Sequence, residues 1–114
     1  MIRHIVLMKC QADASQKDIQ AMFAALAALE ESIPGILAFE GGANNSPEGL
    51  FRGYTHGFTM DFADEQARAV YLPHPEHKKA QEFMRKVLDP SPDNVLVIDF
   101  PIEDTDTYDV YQTS

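Results

Sequence analysis

An α+β fold, a four-stranded antiparallel sheet with its helices on one face, is what this sequence predicts, and three observations predict it. Strand-like apolar segments open the 114-residue chain and recur close to its end. Two intervening stretches carry apolar residues at helical spacing. Two more strand-length segments lie between those stretches, so the order reads strand, helix, strand, strand, helix pair, strand. No apolar run approaches the roughly 18 residues that a membrane-spanning helix needs. One domain over residues 1–100 is therefore expected, followed by an acidic tail over 101–114 in which Tyr108 and Tyr111 alternate with acids.

Residues 2–10 place Ile2, His4, Val6, Met8 and Cys10 on one face and Arg3, Ile5, Leu7 and Lys9 on the other. Both faces are apolar in the middle, so the strand is expected to be covered on both sides. Ser15, three residues before Asp18, resembles a capping box, and Ile19, Met22, Phe23, Leu26, Leu29 and Ile33 follow at helical spacing. This predicts one helix over 15–32, stopped by Pro34-Gly35. Residues 36–42 form a shorter strand, and Asn44-Asn45-Ser46-Pro47-Glu48-Gly49 is loop chemistry. Tyr54, His56, Phe58, Met60 and Phe62 then alternate with Thr55, Gly57, Thr59 and Asp61, a third strand with one apolar face. Asp64 is placed to cap a short helix that ends near Tyr71 at Leu72-Pro73. Pro75 suits the first turn of the last helix, which carries His77, Ala80, Met84 and Val87 on one stripe until Asp89-Pro90-Ser91-Pro92 breaks it. The unbroken apolar run Val95–Phe100 is the fourth strand.

This βαββαβ order is that of ferredoxin-like folds, whose strands lie in the order four, one, three, two. The helices cover one face of such a sheet. The other face carries Ile5, Leu7, Leu96 and Ile98 with no helix left in the chain to hide it, so a second copy is the expected cover and the protein is expected to be a homodimer, a dimeric α/β barrel.

Eighteen acids against nine bases give a formal charge of −9, which disfavours nucleic acid and anionic membrane surfaces as partners. The start has no basic segment followed by a longer apolar one, as a secretory signal would, which points to a cytoplasmic protein. A single cysteine, Cys10, allows no internal disulfide and reads as a half-buried strand residue.

Chemistry is expected from the histidines, of which there are four. His4 is in line with Val6 and Met8, and His56 with Tyr54, Phe58 and Met60. His77 lies on the apolar stripe of the last helix, within reach of Tyr71, while His74 is expected to face outward or cap that helix. If the first and third strands are neighbours, the three inward imidazoles and Tyr71 share one interior with Phe23, Phe58, Met8, Met60 and Met84. An apolar space with a few polar groups suits a small apolar or aromatic ligand. A metal site from the three imidazoles lacks an evident fourth ligand, so no metal is expected.

The segments His4-Ile5-Val6-Leu7, Ser46-Pro47-Glu48-Gly49, Gly53-Tyr54-Thr55-His56, Tyr71-Leu72-Pro73-His74-Pro75-Glu76-His77 and Val95–Phe100, in that order along the chain, resemble the stress-responsive A/B barrel (Dabb) family. The resemblance implies a ferredoxin-like protomer and a dimer whose two sheets close into a barrel. One plant enzyme of that family closes a linear polyketide by aldol chemistry without a cofactor. By resemblance, His77 abstracts a proton from a carbon acid, Tyr71 holds or polarises a carbonyl, and His4 and His56 position the chain. Phe23, Phe58, Met60 and Met84 would line the pocket, no cofactor is called for, and Pro73 stiffens the approach to it. The same motifs occur in relatives without an assigned reaction, so a structural, stress-linked role for the histidines stands beside the catalytic one.

Overall fold

The computed structural model describes residues 1–103, in the order β1 (Ile2–Met8), α1 (Gln16–Ala27), α2 (Leu29–Ser32), β2 (Ile36–Ala43), β3 (His56–Phe62), α3 (Glu65–Tyr71), α4 (Pro75–Val87) and β4 (Val95–Pro101). β1 sits inside the sheet, antiparallel to β3 on one side and β4 on the other, and β2 completes the order β2-β3-β1-β4 by pairing with β3. This is the order expected from the sequence. The register sets His4 opposite Met60 and Asp99, and Leu7 opposite Gly57 and Leu96.

Alternation along the strands then divides the sheet. Ile2, Val6, Met8, Phe58, Met60 and Phe62 face the helices and are buried against Ile19, Met22, Leu26, Leu29, Ile33, Ala80 and Val87. The starts of the helices are satisfied locally. Ser15 Oγ accepts the Asp18 N–H (3.0 Å), Asp64 Oδ1 accepts the Ala67 N–H (2.8 Å), and His74 Nδ1 accepts the Glu76 N–H (3.1 Å). His74 is thus a cap.

The structure departs from the sequence reading at several element boundaries. The helix expected over 15–32 divides at Ala28, where the Glu31 N–H donates to the Ala28 carbonyl in a tighter three-residue turn, while Leu29 and Ile33 remain buried. β1 ends at Met8, and Cys10 makes only an isolated bridge to Leu88. β3 starts at His56 rather than Tyr54. Arg52 (φ 56°) and Gly53 (φ 88°) turn the chain just before it, and the Tyr54 N–H donates to the Phe51 carbonyl. The Tyr54 ring therefore leaves the inner face. Its hydroxyl donates to the Asp93 carbonyl (3.0 Å), and Lys9 Nζ lies 5.0 Å from its ring centre.

Among the described residues, no helix covers the opposite sheet face. Leu96 is 44 % and Ile98 55 % exposed, with Leu7 and Phe100 exposed beside them. Arg3 crosses this face to pair with Asp61 through both carboxylate oxygens (2.9 and 3.0 Å). β4 runs one residue past its expected end, and the Ile102 N–H donates to the Met1 carbonyl (2.9 Å). The acidic tail lies outside the described residues from 104 onward. Among the described residues, no helix is long and apolar enough to cross a membrane.

Candidate functional site

α3 ends at Tyr71, and Leu72-Pro73 turns the chain into α4, whose first turn carries His77. The corner lays the Tyr71 ring on the His77 ring, with centroids 4.0 Å apart and planes 24° from parallel. His77 Nδ1 lies 3.0 Å from the Leu72 carbonyl oxygen. A carbonyl can only accept, so Nδ1 carries the proton and the neutral ring presents Nε2 as an acceptor. Burial is the main cause that lowers the His77 pKa below the ordinary imidazole value, against the pull of the Leu72 and Tyr71 carbonyls. His4 and His74 push in the same direction as burial.

β1 delivers His4 to the same place. Its ring meets Tyr71 edge-on at 5.9 Å, Phe62 at 5.7 Å and Phe58 at 6.2 Å. Three side chains of this small cluster are thus nearly removed from water: Tyr71 is 1 %, His4 6 % and His77 9 % exposed. Burial, helped by the charge of Asp99, raises the Tyr71 hydroxyl well above the usual phenol range, so it stays a proton donor.

Two further residues complete the cluster, and neither was singled out from the sequence. Asp99 Oδ1 lies 2.7 Å from His4 Nδ1, and Arg68 Nη1 donates to the other oxygen of Asp99 at 3.0 Å. A signal for Asp99 was present: it is the one acid within the apolar run Val95–Phe100 and, by strand alternation, shares a face with Val95 and Val97. Arg68, half-buried on a short helix, offered none.

Among the described residues, His4 Nε2, the Tyr71 hydroxyl and His77 Nε2 have no hydrogen-bond partner. They are not sealed in either, because the only enclosed and unpartnered side-chain polar atom among those residues is Ser91 Oγ. Each of the three atoms is therefore open to a hydrogen bond from outside the described residues.

His56 stands apart from this cluster. It is four residues from Met60 along β3, roughly 13 Å at the usual strand rise. Its Nδ1 lies 2.8 Å from Thr55 Oγ1, its ring centre is 6.1 Å from that of Phe23, and burial lowers its pKa. Phe58 lies between the two groups, touching His4 on one side and Phe39 on the other. Met60 is fully buried opposite His4, and Met84 packs half-buried against the core. His56 also borders a groove of about 500 Å³ under the β2–β3 loop, with Leu50, Phe51 and Arg52 on its wall and Leu7 and Leu96 on its floor. Among the described residues, no group of three or more His, Cys, Asp or Glu side chains could hold a metal ion.

The model of the Stress responsive A/B Barrel Domain family matches residues 2–102. The stress-response A/B barrel domain-containing protein HS1 of Arabidopsis thaliana is 35 % identical over 99 residues, which span 87 % of this chain and 87 % of that protein. Among solved structures, At3g17210 from Arabidopsis thaliana is similar with a TM-score of 0.80 at 30 % identity, covering 92 % of this chain and 98 % of that one. A dimeric ferredoxin-like protein of unknown function from Jannaschia sp. CCS1 is similar with a TM-score of 0.78 at 27 % identity, covering 89 % and 98 %.

Proposed function

Because this chain belongs to the stress-responsive A/B barrel domain family, we propose that it works as a homodimer whose protomers each bind a small aromatic or polyketide-like molecule and move a proton on it without a cofactor. The exposed apolar sheet face and the dimeric relative support the pairing of two copies. The observation that carries the chemistry is the buried trio of Tyr71, His77 and His4, each with a polar atom left unpaired among the described residues.

In the step we propose, His77 Nε2 takes a proton from the carbon next to a carbonyl. The C–H electron pair moves into the carbonyl, and the developing oxyanion accepts a hydrogen bond from the Tyr71 hydroxyl. The raised Tyr71 pKa suits a group that donates to an anion without losing its own proton. His4 positions the reacting end of the substrate, and His56 with Phe23, roughly 13 Å away along β3, would hold the far end of a long apolar body. Cyclase, isomerase and monooxygenase-like reactions all begin with this step.

A second reading is a non-catalytic stress-response protein in which the histidines hold the α3–α4 corner; the His77 bond to the Leu72 carbonyl favours it. Exchange of the α-protons of phenylacetone for solvent deuterium, followed by NMR, separates the two. The catalytic reading expects exchange above background that is lost in His77→Ala while the dimer stays folded. Exchange equal to background in the wild-type protein, across a set of aryl ketones and β-diketones, leaves the structural reading.

A further inference from the structure

We infer that Asp99, clamped by Arg68, is a positioning residue that fixes the tautomer and tilt of His4 and so makes His4 Nε2 a second proton acceptor in the site. The inference rests on the reading that this cluster binds and acts on a ligand, and it adds to that reading two residues and a role for His4.

The geometry carries it. An imidazole beside a carboxylate donates through the nitrogen that faces it, because a carboxylate only accepts. His4 Nδ1 is 2.7 Å from Asp99 Oδ1, which places its proton on Nδ1 and leaves the Nε2 lone pair free. The Tyr71 and Phe62 rings pack edge-on against the imidazole and leave it little freedom to flip. A flipped ring would also give up the short bond to Asp99. Asp99 is itself held, since its second oxygen accepts from Arg68 Nη1 at 3.0 Å, so both oxygens are committed.

The backbone register makes the arrangement rigid. His4 and Asp99 are directly opposed on neighbouring antiparallel strands, so the side chains leave the same face of the sheet side by side. Arg68 comes from α3, the helix that ends in Tyr71. One carboxylate therefore ties β1, β4 and α3 together at the point where His4 and Tyr71 meet. A nucleophile or base whose partner is oriented by a third group is a recurrent catalytic arrangement, and here the third group is Asp99. Asp99 and Arg68 do not touch the reacting atoms in this scheme; they act through His4.

The test reads the His4 tautomer directly, by NMR of ¹⁵N-imidazole-labelled dimer at neutral pH, beside the phenylacetone exchange assay. Wild-type protein is expected to show His4 with Nδ1 protonated and Nε2 unprotonated. In Asp99→Asn the side-chain amide donates to Nδ1 and the proton moves to Nε2, and the turnover number for exchange is expected to drop about 100-fold with KM changed less than threefold. Arg68→Met, which removes only the clamp, is expected to give both tautomers and an intermediate loss. It also serves if Asp99→Asn folds poorly.

A wild-type His4 protonated on Nε2 overturns the inference, as does an Asp99→Asn protein that folds and keeps the Nδ1–H form. A tautomer that flips as expected in a protein with no exchange activity supports the positioning role and defeats the catalytic reading alone.

Discussion

Ile98→Asp tests the pairing of two copies where the protomer itself should notice least. Ile98 points away from the helices and is 55 % exposed in the single chain, so its replacement removes little from the core. That exposure amounts to roughly 100 Å² of apolar surface, worth about 2.5 kcal/mol at about 25 cal/mol per Å² once covered. In a two-fold interface the residue occurs twice, so the loss is about 5 kcal/mol, or between three and four powers of ten in the dimer dissociation constant. An unpaired carboxylate facing an apolar sheet adds to the penalty. Differences of this kind are less affected by association entropy than absolute affinities, because that entropy is common to both proteins. The assay is light scattering coupled to size exclusion at micromolar protein, with circular dichroism to follow the fold. The expected result is a folded monomer. A folded Ile98→Asp protein that stays dimeric at the same concentrations as wild type would show that this face is not the one covered, and the barrel arrangement would have to be abandoned.

Tyr71→Phe keeps the ring stacked on His77 and removes only an unpartnered hydroxyl, so stability should change by no more than about 1 kcal/mol while ketone exchange falls about 100-fold, as read by urea unfolding and NMR. Stability should fall as the pH is lowered through the ordinary imidazole value of 6.5, because the depressed pKa of buried His77 lets the unfolded chain take up a proton that the folded one resists. His56 adds in the same direction, and a melting-temperature series from pH 8 downward on wild type and His77→Gln should show a shallower slope in the variant. Gly35→Ala should cost about 2–4 kcal/mol in urea unfolding, since Gly35 has φ 92° and an added Cβ would sit 2.5 Å from the Ala67 Cβ.

His4 and His77 could be nominated from alternation and helical spacing, because those periodicities state which face of an element a side chain leaves, and Tyr71 from its place just ahead of the Pro73 break. His56 shows where that logic stops. It shares a strand face with Met60, as its spacing says, yet the strand carries it along to the far end beside Phe23, since a common face fixes direction and not distance. Tyr54 left the face altogether because Arg52 and Gly53 adopt left-handed backbone angles just before the strand, a choice that the alternation of neighbouring residues does not encode.

By itself the sequence determined the order of the elements, the caps at Ser15 and Asp64, the two faces of the sheet and the need to cover one of them, because each follows from local patterning of apolar and polar groups. The tertiary structure alone decided that Asp99 faces His4 across two strands far apart in the chain and that Arg68 reaches it from a helix. It also decided that the turn after Tyr71 folds His77 flat against it. Those contacts depend on strand register and on the packing of a helix over a sheet, and both are set only when the whole chain has closed on its core.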